Sequence, residues 1–165
     1  MDCIVVPMTR PWAEIIATWQ YPAPYFIYSM TPNAETINEL LGGSYWAVLE
    51  QSTGELVGHC CVGVAAQVPG GVTVAAYEDG HALDIGLGMR PDLTGRGLGL
   101  GFLKTVVGFV AGEFAPRRLR LSVATFNQRA ITLYERLGFV VEKVFLSPVA
   151  NTDMEFRSMV LDLEA

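Results

Sequence analysis

Histidine and cysteine are scarce in this chain. The two histidines, His59 and His81, lie apart, and the three cysteines, Cys3, Cys60 and Cys61, form an odd set with no C-x-x-C spacing. No metal cluster and no disulfide framework is visible in that pattern. Neighbouring Cys60 and Cys61 in a strand point to opposite faces, which argues against a bond between them. Free thiols in a reducing, cytoplasmic compartment are expected. Long apolar runs are also missing: none reaches the ~18 residues of a membrane span. The opening Met1-Asp-Cys-Ile-Val-Val has no basic n-region and does not read as a signal peptide. There is no repeat, low-complexity tract or linker, so residues 1–165 read as one domain, globular and soluble at 51% hydrophobic and 17% charged residues.

An excess of positive charge is absent too. The net charge is −6, which disfavours nucleic acid. Its distribution is uneven: residues 1–89 hold nine acids and one base, Arg10, whereas residues 90–165 hold eight acids and ten bases. The later half suits an anionic cofactor, and the acidic earlier half suits a cationic, amine-bearing substrate.

What the chain has in abundance is glycine at one place. The apolar run Ala82 to Met89 reads as a strand that ends at Pro91. Asp92, Leu93 and Thr94 make a short turn, and Gly95, Gly97, Gly99 and Gly101 then alternate across the start of a helix. Glycine in a helix costs roughly 1 kcal/mol against alanine, so four in one turn need a reason. Bare backbone lets a ligand press against free N–H groups at the positive end of the helix dipole, and Arg96 adds a fixed charge. The stretch reads as an anion cradle for phosphates, with a glycine-rich turn that tightens strand–helix packing as the plainer alternative. The dinucleotide fingerprint fails, because its last glycine falls on Phe102 or Leu100, and the Walker pattern fails for want of Gly-Lys.

The remaining elements follow from spacing. Cys3 to Met8 reads as a strand, and Trp12, Ile15, Ile16 and Trp19 give a helix over Arg10 to Trp19. Gln20 to Tyr28 is too proline-broken for a helix; its aromatics either line a pocket or staple a loop to the core. Thr31 is a candidate N-cap with Pro32 at N1 for a helix ending at Gly42-Gly43. Tyr45–Glu50 and Glu55–Val64 form a hairpin. Residues 68–72 and 77–80 read as an exposed connection. Leu98 to Val110 is apolar nearly all round, as for an interior helix. A strand over Leu119–Ala124, an amphipathic helix over Asn127–Leu137 capped by Gly138, and strands over Phe139–Leu146 and Glu155–Leu163 close the chain. The order β-α-α-β-β-β-α-β-α-β-β is mixed α/β around one sheet.

Thr94-Gly-Arg-Gly-Leu-Gly99 resembles the pyrophosphate loop of the GNAT superfamily of acyl-CoA-dependent N-acyltransferases, Gln/Arg-x-x-Gly-x-Gly/Ala, with Thr94 where the family usually has Gln or Arg. Asn127, Tyr134, Gly138 and Phe139 match the family's second signature without gaps. Taken alone, Asn127 reads as an N-cap and Tyr134 as a core aromatic. The element order is also that of the GNAT fold, an α+β arrangement with one mostly antiparallel sheet, splayed middle strands and flanking helices.

The resemblance implies acetyl transfer from acetyl-CoA to a primary amine of a small molecule or peptide. It puts the main-chain N–H groups of Thr94, Gly95, Arg96, Gly97, Leu98 and Gly99 on the pyrophosphate. It aligns the pantetheine arm along Leu87, Gly88 and Met89, with Asn127 bonding that arm. Tyr134, with an ordinary pKa near 10, stays protonated and can donate to the leaving sulfur. Where some relatives have a Glu base this chain has Ser122, so Asp84 on the strand before the loop becomes the candidate base, with a turn-anchoring role as its alternative. Glu78, Asp79, His81 or a water chain come next. Trp19, Tyr21, Tyr25 and Tyr28 are candidates for the substrate pocket. The alternatives are a non-catalytic acyl-CoA-binding module and transfer of another short acyl group. Exposed edge strands leave a homodimer open.

Overall fold

The computed structural model describes residues 1–163. In chain order the elements are β1 (Cys3–Pro7), α1 (Arg10–Ile16), α2 (Ala34–Leu40), β2 (Tyr45–Glu50), β3 (Leu56–Val62), α3 (Pro69–Thr73), β4 (Ala82–Met89), α4 (Gly99–Phe114), β5 (Arg118–Ala124), α5 (Gln128–Leu137), β6 (Val140–Val149) and β7 (Thr152–Asp162). Short 3-10 turns occupy Tyr25–Tyr28, Gly63–Ala66 and Pro91–Leu93. The strands form one seven-stranded sheet in the order β1-β2-β3-β4-β5-β7-β6. The β1–β2, β2–β3, β5–β7 and β6–β7 pairs are antiparallel and β4–β5 is parallel. The mixed α/β reading and the mostly antiparallel sheet are as expected.

The chain packs as two compact units, each made of two segments: residues 1–61 with 87–109, and residues 62–86 with 110–165. In the first unit, β1, β2 and β3 form a meander whose apolar positions meet α1, α2 and the start of α4. Ala13, Ile16, Trp19, Leu40, Val48, Val57 and Phe102 are all buried there. Gly58 is obligatory in this packing, because a Cβ on it would collide with the Phe102 ring and the Gly88 carbonyl. In the second unit, β5, β7 and β6 carry Leu119, Leu121, Val123, Phe145, Phe156 and Met159 into a core closed by Ile131 of α5.

Three local expectations need correction. The N-cap of α2 is Asn33, whose side chain accepts a hydrogen bond from the Thr36 N–H at 2.9 Å, rather than Thr31. Asn33 stands directly before the first helical residue, Ala34, which puts its side-chain oxygen in reach of the N3 donor. The connection after β3 is not all exposed: α3 packs on β6, and Gly70 and Gly71 are buried. Gly70 approaches the Leu146 carbonyl too closely for any side chain, and its N–H donates to Ser147 Oγ at 2.9 Å. Finally, α4 buries one stripe, Phe102, Leu103, Val106 and Val110, while Lys104 and Phe114 face outward. Its apolar composition overstates its burial.

Candidate active site

The first unit holds the glycine loop. The end of β4 is fixed before the loop begins: the Arg90 N–H donates to the Val57 carbonyl at 2.8 Å, and the Arg90 guanidinium bonds Leu56 O and pairs with Asp92. Thr94 turns its hydroxyl back onto the Pro91 carbonyl at 2.7 Å. Gly95 (φ 71°) and Gly97 (φ 78°) then take left-handed backbone conformations, which L-residues with a Cβ adopt at a cost. Gly95, Arg96 and Gly97 are exposed, and nothing lies within 4 Å of where a Cβ on Gly97 would stand. The first helical bond back is Phe102 N–H to Leu98 O at 3.2 Å. The N–H groups of the preceding turn therefore have no acceptor inside the helix, which is the condition for binding an anion there. Leu98 and Gly99 sit where the loop passes into α4. A loop of exposed glycines at a helix start, beside the exposed Arg96, has the chemistry of an anion cradle.

Of the aromatic residues of the earlier segment, Tyr21 is brought to β4. Tyr21 donates its hydroxyl to the Met89 carbonyl at 2.6 Å, meets Tyr28 edge-on at 6.5 Å, and donates its main-chain N–H to Ser29 Oγ at 2.9 Å. Burial pushes its phenol up from the usual range, so it stays a donor. Trp19 is buried with its ring 6.1 Å from that of His59. Tyr25 and Tyr28 fall on a 3-10 turn, Tyr28 exposed and Tyr25 half-buried.

His59 is the residue that sequence reasoning missed. On β3 it lies over Gly88, where a Cβ would come 2.5 Å from its Nε2, and it is flanked by the rings of Trp19 and Tyr45. Its Nδ1 is buried with no hydrogen-bond partner. Desolvation lowers its pKa from 6.5 to about 4, so the ring is neutral at pH 7. The signal that could have found it is the pairing of a strand histidine with a glycine on β4. That pairing depends on sheet order, which spacing does not reveal.

The second unit holds Asp84, Asn127 and Tyr134. Asp84 does not stand as a free carboxylate: it is buried, Arg120 Nε and Nη2 donate to its two oxygens at 2.6 and 3.0 Å, and Gln67 donates at 3.0 Å. Arg120 in turn lies 5.2 Å over the Tyr77 ring, and the Tyr77 and Ser122 hydroxyls share a hydrogen bond at 2.6 Å. Removing that carboxylate would leave a buried guanidinium unpaired, which costs several kcal/mol. The geometry favours an anchoring role over the base role expected for it. The parallel ladder of β4 with β5 runs through Ala82–Arg118, Leu83–Leu119 and Asp84–Arg120 and ends at that ion pair, while both strands continue.

Asn127 is the N-cap of α5, its side chain accepting from the Ala130 N–H at 3.2 Å. At the other end Gly138 is left-handed at φ 109°, and the Phe139 N–H closes onto the Tyr134 carbonyl at 3.0 Å. Phe139, buried, packs its ring 6.0 Å from that of Tyr134. The Gly-Phe pair thus locks the turn that carries Tyr134, which is half-buried.

Residues 13–139 match the family model described as Acetyltransferase (GNAT) family. Among curated proteins no relative matches. Solved structures share the fold at low identity. An acetyltransferase of the GNAT family from Bacillus anthracis superposes with a TM-score of 0.75 at 15% identity, covering 98% of this chain and 95% of that one. A spermidine N-acetyltransferase chimera from Vibrio cholerae and hSSAT gives 0.73 at 15%, covering 98% and 96%. Mutant forms of the Vibrio cholerae spermidine/spermine N-acetyltransferase give 0.70 at 14%, covering 98% and 95%.

Proposed function

Because the chain belongs to the GNAT acetyltransferase family, we propose that it is an N-acetyltransferase that moves an acetyl group from acetyl-CoA to a primary amine of a small molecule or peptide. The observation that carries this reading is the loop before α4, with left-handed Gly95 and Gly97, exposed main-chain donors and Arg96. Acetyl-CoA, when bound, supplies an acyl group activated as a thioester.

The protein's own residues have four tasks. The N–H groups of Thr94 to Gly99 hold the diphosphate by charge-assisted hydrogen bonds at the helix start. The main chain of Leu87, Gly88 and Met89 orients the pantetheine arm, and the Tyr21 hydroxyl on Met89 O keeps that stretch in one conformation. Asn127 bonds the arm through whatever capacity its capping leaves. Tyr134 holds the proton for the departing thiolate. Proton removal from the amine is assigned away from Asp84, whose oxygens are committed to Arg120 and Gln67.

Cys60 and Cys61 are buried and outside any disulfide, which supports a reducing, cytoplasmic setting. For a homodimer the reading assigns the edge of β6, last in the sheet order, where Val140, Val144 and Leu146 are exposed. The deciding experiment is calorimetry with coenzyme A, followed by thiol release from acetyl-CoA across a panel of amines. No heat with coenzyme A would end the proposal.

A further inference from the structure

We infer that Tyr21 is a positioning residue through which donor binding stiffens the amine-side loop, residues 20–30. Its hydroxyl ties that loop to the end of β4, the stretch assigned to the pantetheine arm. The inference rests on the acetyl-transfer reading above.

The loop is closed at its neck. Gln20 Nε2 donates to the Met30 carbonyl at 3.0 Å, and the Tyr21 N–H donates to Ser29 Oγ, so bonds spanning ten and eight residues tie its two ends together. Within it the Tyr25 N–H donates to the Pro22 carbonyl at 2.8 Å and the Ser29 N–H to the Phe26 carbonyl at 3.0 Å, around the 3-10 turn of Tyr25–Tyr28. A compact loop of this kind moves as one piece. Burial does little to hold the turn: none of its four residues is buried, and Phe26 is 60% exposed. A segment with few buried apolar contacts sits at the low end of local stability, where one added bond changes how often it opens.

Tyr21 is where this loop meets the donor strand, and every residue involved lies in the first packing unit. Three of its groups converge: the N–H on Ser29, the ring edge-on to Tyr28, and the hydroxyl on the Met89 carbonyl, 68 residues away. Burial holds the phenol protonated, so it is the donor in this bond. Without it a part-buried carbonyl would lose its partner, which costs free energy. The next residue is held from β3, through the Arg90 N–H on the Val57 carbonyl and the Arg90 guanidinium on the Leu56 carbonyl. A ligand that orders the main chain of Leu87, Gly88 and Met89 therefore orders the carbonyl to which the loop is tied. By linkage the effect is reciprocal: a loop held still by its own ligand tightens donor binding by the same factor.

The test is hydrogen–deuterium exchange of the full chain, read by mass spectrometry with and without saturating coenzyme A, in the wild type, Tyr21→Phe and Ser29→Ala. In the wild type, peptides covering residues 22–30 should exchange about fivefold more slowly with coenzyme A present, the worth of one hydrogen bond. In Tyr21→Phe that slowing should vanish while the slowing at residues 94–99 remains, and coenzyme A affinity by calorimetry should fall by no more than about fivefold. A merely structural phenol would loosen the loop equally in both states and leave the coenzyme-A-dependent difference untouched. Ser29→Ala removes the acceptor of the Tyr21 N–H but keeps the phenol, and it should cut the slowing by about half or more. It reads the same route even where Tyr21→Phe does not fold. No slowing in the wild type, or the full slowing in either folded variant, overturns the inference. Absence of coenzyme A binding in the wild type would instead remove the acetyl-transfer reading on which it stands.

Discussion

Lowering the pH should destabilise this protein through one imidazole. His59 titrates at 6.5 in an unfolded chain and at about 4 in the folded one, because burial disfavours its charged form. Above pH 6.5 both states are neutral and the group has no effect. As the pH falls below 6.5 the unfolded chain gains a proton that the folded chain refuses until about pH 4, so stability is lost across that window. At pH 4.5 the difference amounts to about 2.5 kcal/mol at most, and about 2 kcal/mol once the ring's residual exposure is allowed for. Urea unfolding followed by tryptophan fluorescence is the assay, since Trp19 lies against this ring. Carboxylates titrate in the same range, so the quantity to read is a double difference. Wild type should lose about 2 kcal/mol more than His59→Gln between pH 7.5 and 4.5. Parallel pH dependences in the two proteins would refute the claim that this imidazole is held neutral by burial.

Four further outcomes are expected. Tyr134→Phe should lower kcat about tenfold or more while coenzyme A affinity, by calorimetry, stays put. Gly97→Ala should weaken coenzyme A binding about tenfold, because its left-handed backbone costs about 1–2 kcal/mol with a Cβ even though space is open there. Asp84→Asn should lower unfolding free energy by about 3–5 kcal/mol through loss of the Arg120 pair, while any surviving enzyme keeps its pH–rate profile. A profile that loses its acidic limb would restore Asp84 as the base. Gly88→Ala should displace the His59 ring, whose Nε2 would lie 2.5 Å from the new Cβ, visible as altered ring-proton shifts in NMR.

Local chemistry was the legible part of this chain. The strand running to Met89, the glycines before α4 and the helix from Gln128 to Gly138 are each written in neighbouring residues, where periodicity and turn preferences act directly. Contacts distant in sequence were not. Asp84 reads as a plausible base on its own strand, but its partner Arg120 is on another strand and Gln67 is in a loop. His59 looks like a stray histidine until β3 and Gly88 are side by side. Tyr21 reads as a pocket aromatic from its company, and its bond to the Met89 carbonyl, 68 residues away, has no local signal. Even the cap of α2 turned on which of two nearby polar side chains reaches the Thr36 N–H.

The interleaving of the two packing units has a practical side. The chain changes unit after Cys61, inside β4 after Gly86, and inside α4 after Phe109. All three hand-overs fall within regular elements, the first of them inside β3, so no single cut in the gene yields either half intact. A fragment stopped at residue 86 would lack Leu87 to Met89, and one begun at residue 110 would lack the whole glycine loop before α4. Studies of the donor site therefore have to use the uninterrupted polypeptide, and point substitution, not dissection, is the way to take it apart.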